Sequence, residues 1–196
     1  MTSFELSFDY RCPFAKNIHL HTVSALRAGA PFSVTFVPWS LSQGHRPPGS
    51  PDVWENPDYD ADLVALAAGV SVRDRQADRF LDAHEALFLA RHERGLALKD
   101  LEEVLDVLGP LGVDTGDVAA DIASRRPHGV IGAAHARFAE VEAFGVPTFL
   151  VDGDATFVRY MTPPRDATHS VELISRLIDM MREPELNEFK HTRVAF

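Results

Sequence analysis

Phe4, Leu6 and Phe8 alternate with Ser3, Glu5 and Ser7, the period of two that a half-buried strand needs. Asp9-Tyr10-Arg11-Cys12-Pro13 follows as a turn. Pro13 suits a first helical position, because the N–H it lacks is one that a helix start leaves unpaired. A helix over 13–28 then places Phe14, Ile18 and Ala25 on one face and ends at Gly29. A second strand over 32–37 carries Phe32, Val34 and Phe36 on one side. Strand, helix, strand in that order predicts parallel neighbours joined by a right-handed crossover.

The rest of the chain adds to this unit in two stages. Residues 40–57 hold Gly44, Pro47, Pro48, Gly49, Pro51 and Pro57, too many breakers for a continuous element. From 58 to 126 the pattern is helical. Phe80, Leu81, Leu87 and Phe88 recur at helical spacing, and Leu101, Val104, Leu105 and Leu108 follow i, i+3, i+4, i+7. Gly109, Pro110 and Gly112 stop that helix, and Asp114 or Thr115 can cap the next. A helix over 129–143 carries Ala134, Phe138 and Val141. Asp152-Gly153 between Phe149-Leu150-Val151 and Ala155-Thr156-Phe157-Val158 signals a hairpin. A last helix over 168–182 has Ile174, Leu177, Ile178 and Met181 on its core face. With the helical block removed, a four-stranded α/β layer remains. The expected division is residues 1–39 and 131–196 as one domain and 40–130 as a helical insertion.

Charge and cysteine content exclude several functions. Asp plus Glu is 29 against 19 for Lys plus Arg, a net charge of -10. An acidic chain repels nucleic-acid phosphates and anionic lipid, so neither is an expected partner. No apolar stretch approaches a membrane span, and the N-terminus carries no signal-peptide pattern. Cys12 is the single cysteine, so an intramolecular disulfide and a four-cysteine zinc site are both impossible. The expected compartment is the cytoplasm, where a lone thiol persists.

Cys12 falls where a strand ends and a helix begins. A thiol at a helix N-cap faces unpaired N–H groups and the positive end of the dipole. That favours thiolate and lowers the pKa, and Arg11 and Lys16 flank the position. The alternative is a small buried hydrophobe, which lone cysteines often are. Position alone leaves both open.

Two further features bear on the choice. Cys12-Pro13-Phe14-Ala15 stands in the frame of a C-x-x-C redox motif after the first strand of a βαβ unit, and Val146-Pro147 stands just before the third strand. Together with Phe8-Asp9-Tyr10-Arg11-Cys12-Pro13-Phe14, Ala83-His84-Glu85-Ala86-Leu87-Phe88, Asp100-Leu101-Glu102-Glu103-Val104-Leu105 and Phe144-Gly145-Val146-Pro147-Thr148-Phe149, they give a resemblance. The chain resembles the DsbA-like branch of the thioredoxin superfamily, especially FrnE-like proteins and mycothiol-dependent reductases. The tail Asn187-Glu188-Phe189-Lys190-His191-Thr192-Arg193 is similar to the end of the mycothiol-linked members.

The resemblance implies a thioredoxin fold with a helical insertion and a cis Pro147 opposite Cys12. A cis X-Pro bond is a minority state, about 5–6% in folded proteins, so this expectation is sharp. It also implies that Arg11, Pro13, Phe14, Ala15, Val146, Pro147 and Thr148 surround the substrate or thiol, with the Val146 backbone pairing to it. The departure is Ala15, where dithiol members have a second cysteine. Without it, a mixed disulfide on Cys12 has no internal resolving thiol. What remains is monothiol chemistry: Cys12 attacks a disulfide, peroxide or other electrophile and is released by mycothiol or glutathione. No tightly bound cofactor is expected, and a homodimer is possible. Kappa-class glutathione transferases and 2-hydroxychromene-2-carboxylate isomerases resemble the same architecture and are one alternative. A redox-inactive binding protein of the same fold is the other.

Other candidates are weaker. His19 and His21 are two apart on a helix and point different ways. His84-Glu85 begins like a zinc helix, but Phe88 stands where the second histidine belongs. No metal site is expected. His21 shares the face of Phe14 and Ile18 and reads as a hydrogen-bonded, semi-buried residue. Trp39 could line a substrate groove or pack in the core. Gly44-His45-Arg46-Pro47-Pro48 reads as a connector, or as a mobile loop near the site.

Overall fold

A computed structural model describes residues 2–188 and 191. Strand β1 (Thr2–Phe8) leads into helix α1 (Pro13–Arg27) and strand β2 (Phe32–Pro38). β1 and β2 are parallel, in register from Thr2↔Phe32 to Phe8↔Pro38, as the opening of the sequence predicts. The alternation holds where it matters: Phe4, Leu6 and Phe8 are all buried. Ser7 is buried too, because this end of the strand is covered on both faces.

The sheet is completed by β3 (Thr148–Val151) and β4 (Asp154–Phe157) in the order β2-β1-β3-β4. β3 runs antiparallel to both β1 and β4. The predicted hairpin turn is there, with Asp152 at φ 52° and Gly153 at φ 102°. These are the positive values that a two-residue hairpin loop requires.

Between β2 and β3 the described chain is helical. Helix α2 (Leu41–His45) lies inside the stretch the sequence reads as a connector. Ser40 caps it by accepting from the Gln43 N–H, a signal hidden among the prolines and glycines around it. α3 (Asp60–Arg75), α4 (Phe80–His92), α5 (Leu101–Leu108) and α6 (Thr115–Ala123) follow. Asp100 caps α5 and Asp114 caps α6. α7 (Arg126–Glu140) begins three residues before the expected start at 129, so residue 130, the expected end of the insertion, lies inside it. α8 (Ala167–Met181) packs against α1, burying Ile174 and Ile178. No described helix is long and apolar enough to cross a membrane.

α3 is buried from Leu63 through Val72 without interruption. A helix apolar all round has no stripe and belongs at the centre of its layer. α4 joins the helical layer to the sheet layer. Arg27 of α1 pairs with Asp82 and Glu85, and Lys16 pairs with Glu93.

Beneath these surface pairs runs a buried polar chain. The Tyr10 hydroxyl lies 2.9 Å from His84 Nδ1, His84 Nε2 lies 2.8 Å from His19 Nδ1, and His19 Nε2 lies 3.0 Å from the Ser7 carbonyl. A carbonyl only accepts, so His19 carries its proton on Nε2. His19 Nδ1 then accepts from His84 Nε2–H, and His84 Nδ1 accepts from Tyr10. Both imidazoles are satisfied only when neutral. Burial pushes both downward, His19 to about 3 and His84 well below its usual value.

This chain gives a stability profile. Both histidines titrate near 6.5 when unfolded and lower when folded. The unfolded chain therefore takes up protons first, and stability declines as pH falls below about 6.5. The pair should lower the unfolding free energy by about 4 kcal/mol between about pH 7 and pH 5. Urea denaturation at the two pH values checks this; a flat profile contradicts the neutral pair. A second expectation concerns Gly69 in α3, whose added Cβ would lie 2.4 Å from the Tyr10 hydroxyl. That hydroxyl is fixed by His84, so Gly69→Ala should cost about 1–3 kcal/mol in the same assay.

Candidate active site

The turn after β1 is organised by Asp9, a buried carboxylate. It accepts from the backbone N–H of Arg11 at 2.9 Å and of Leu41 at 2.9 Å. The Arg11 guanidinium adds bonds at 3.2 and 2.9 Å. The Asp9 carbonyl accepts from the Cys12 N–H at 3.0 Å. So held, Cys12 becomes the N-cap of α1, in extended backbone at φ -89° and ψ 117°. Pro13 takes the first helical position and is exposed.

Cys12 Sγ sits between two backbone groups. The Ala15 N–H donates to it at 3.4 Å, and the thiol donates to the Val146 carbonyl at 3.2 Å. The Val146-Pro147 peptide is cis, as the resemblance implies. Cys12, Ala15, Val146 and Pro147 are therefore together, with Phe14 half-buried beside them. Thr148 is placed differently. It is buried and starts β3, donating its N–H to Ser7 Oγ at 2.8 Å and its hydroxyl to the Gly145 carbonyl at 2.7 Å. It supports the proline loop from behind.

The electrostatics correct the sequence reading. From the sequence, the helix start and the flanking cations predict a lowered Cys12 pKa. The thiol is instead pushed up, first by burial and then by the Asp9 charge. The N–H groups of Ala15 and Phe14 and the charge of Arg159 pull the other way without winning. The flanking cations are committed elsewhere. Arg11 binds Asp9, Ser42 at 2.9 Å and Asp62 at 3.2 Å, and Lys16 reaches Glu93 at 2.6 Å. With its residue only 7% exposed, Cys12 keeps its thiol better than a capping position alone would suggest.

Arg159 gives no signal in the sequence, and Tyr10 and Phe144 stand out only as parts of the motifs that carry the resemblance. Tyr10 is gripped at both ends by α4: its hydroxyl by His84, its carbonyl by His92 Nε2 at 2.9 Å. Arg159, just past β4, stacks its guanidinium 4.6 Å from the Phe14 ring centroid. Phe144, 74% exposed, leans on Phe157 at 5.0 Å next to the proline loop. Trp39 packs in the core, 3% exposed, against His135 at 4.6 Å. The stretch from Gly44 belongs partly to α2, which meets the cysteine turn through Ser42 and Leu41. His21 bonds Ser170 and the Thr162 carbonyl, matching its reading as a hydrogen-bonded residue.

Residues 4–169 match the DSBA-like thioredoxin domain family. The chain belongs to that family. Its fold is the thioredoxin fold with a helical insertion. Over 193 residues it is 22% identical to the uncharacterised protein Rv2286c of Mycobacterium tuberculosis, covering 98% of this chain and 83% of that one. In structure it is similar to a probable DsbA oxidoreductase, SCO1869, of Streptomyces coelicolor. The TM-score is 0.63 at 15% identity, over 97% and 94% of the two chains. It is also similar to DsbM, a cytosolic disulfide reductase of Pseudomonas aeruginosa determined with GSH. Here the TM-score is 0.64 at 11% identity, over 90% and 99%. The tail motif from Asn187 to Arg193 lies largely outside the described residues.

The upward push on Cys12 is directly measurable. The rate of alkylation by iodoacetamide against pH should have its midpoint above about 8.5, the value of an unperturbed cysteine. A lower midpoint would mean that the helix-terminal N–H groups outweigh burial.

Proposed function

We propose that this chain is a cytoplasmic monothiol oxidoreductase of the DsbA-like family, with Cys12 as its nucleophile. The observation that carries this reading is the placement of Sγ between the Ala15 N–H and the Val146 carbonyl. A thiolate formed there keeps a hydrogen-bond donor from the helix start. The carbonyl that held the thiol proton becomes free for the N–H of an extended partner, so docking and deprotonation favour each other.

The chemistry balances without a second cysteine. The Cys12 thiolate attacks one sulfur of a disulfide, forming a mixed disulfide and expelling the other sulfur as thiolate. A small thiol, mycothiol or glutathione, then attacks the mixed disulfide as its own thiolate. Its sulfur joins the substrate half, and Cys12 leaves as thiolate. A second small thiol then frees the substrate half and leaves as the small-thiol disulfide, so two small thiols supply the electron pair that reduces the substrate disulfide. Pro13, Phe14 and Val146 form the approach, and Arg11 fixes the turn through Asp9. Placement in the cytoplasm is supported by the single unpaired thiol and by the likeness to a cytosolic reductase.

The burial of Cys12 favours a second reading, a redox-inactive binding protein or a glutathione-dependent isomerase of the same architecture. Oxidised mycothiol and oxidised glutathione separate the two. Mass spectrometry should find one thiol adduct on the wild-type chain, released by excess reduced thiol, and none on Cys12→Ser, which should also lose disulfide reduction. Ala15→Cys should replace the adduct by loss of two hydrogens, as the new thiol closes on Cys12. A wild-type chain that forms no adduct supports the second reading.

A further inference from the structure

The sulfur of Cys12 has two cations close in sequence and draws on neither. Arg11 is held by Asp9 and Asp62, and Lys16 by Glu93. The cation whose charge favours the thiolate comes from the far side of the sheet order, in the loop that leaves β4. Arg159 is exposed and makes no ion pair among the described residues. Its guanidinium lies 4.6 Å from the centroid of the Phe14 ring. Phe14 is the second residue of α1, and its N–H is one of those directed at Sγ. An aromatic face can hold a guanidinium without neutralising it, whereas a carboxylate cancels the charge it binds. Phe14 therefore parks an uncancelled positive charge at the helix start. The charged groups acting on the sulfur are Asp9 from the β1 turn and Arg159 from the β4 loop. Of these two, Asp9 already shares its charge with Arg11.

We propose that Arg159 is the cation of this site, steadying the Cys12 thiolate and drawing carboxylate-bearing disulfides and thiols to it. This rests on Cys12 being the nucleophile and adds the substrate class. A single point charge does both jobs, because the field that stabilises one anion on sulfur also raises the local concentration of another in solution.

Alkylation of the whole chain tests it without requiring turnover. Rates with iodoacetamide, which is neutral, and iodoacetate, which is anionic, are measured from neutral to alkaline pH for wild type, Arg159→Gln and Arg159→Lys. Arg159→Gln should move the pH midpoint upward by on the order of half a unit. It should also lower the iodoacetate-to-iodoacetamide rate ratio several-fold, with a larger difference at low salt than at high salt. Arg159→Lys should stay close to wild type in both readouts, which a purely structural role of the side chain would not produce. If Arg159→Gln leaves both the midpoint and the ratio at wild-type values, the proposal is overturned. Disulfide exchange is assayed in parallel. A wild-type chain that is alkylated but exchanges no disulfide overturns the functional reading alone, and the alkylation ratios still decide the role of Arg159.

Discussion

One buried carboxylate holds the cysteine turn in shape. Asp9 gathers the N–H of Arg11, the N–H of Leu41 and two guanidinium nitrogens of Arg11 onto its two oxygens. A buried charge persists only when it is paired and hydrogen-bonded, and the turn meets that demand by folding around it. The arrangement fixes where α1 begins and ties α2 to the end of β1. It also disfavours the thiolate, because Asp9 and the burial of the turn both favour the protonated thiol. Arg11, the cation nearest to Cys12 in sequence, is taken up by Asp9. Backbone N–H groups and a cation from a distant loop are what remain to favour the anion.

The helical layer acts on the same turn through Tyr10. α4 supplies His84 to its hydroxyl and His92 to its carbonyl, while Phe88 packs against its ring at 4.8 Å. The glycine at position 69 of α3 gives the ring its space. Three residues of one helix and one of another thus position a side chain two residues before Cys12. His84 also packs directly on Phe8 of β1 at 4.8 Å and Phe36 of β2 at 4.9 Å, so one helix holds both the turn and the sheet.

The legible parts of the fold are those fixed by short-range physics. The first strand, the proline-initiated helix, the Asp152-Gly153 hairpin and the last amphipathic helix each carry their signal within a few residues. α3 has no stripe, since every side from Leu63 to Val72 is buried, so periodicity could not separate it from its neighbours. α2 is five residues long among six prolines and glycines. At the site, Cys12 and Pro147 were readable as motif positions. The direction of the thiol's shift was not, because it depends on which carboxylates Arg11 and Lys16 find across the fold. Arg159 was equally silent, since nothing near it in sequence points to Phe14.

Ala15 then has a geometric consequence. Its side chain is fully buried, so the direction from which a second cysteine would attack is closed to outside thiols. Pro13 is exposed and Phe14 half-exposed, so on the proposed reading a partner reaches Sγ from the side of these two residues. On the proposed reading, the substrate disulfide and the releasing thiol must both use that approach. In-line attack on a mixed disulfide needs the incoming sulfur opposite the departing one. The expelled half of the substrate would therefore have to leave before the small thiol arrives, and the two half-reactions would follow one another from the same side.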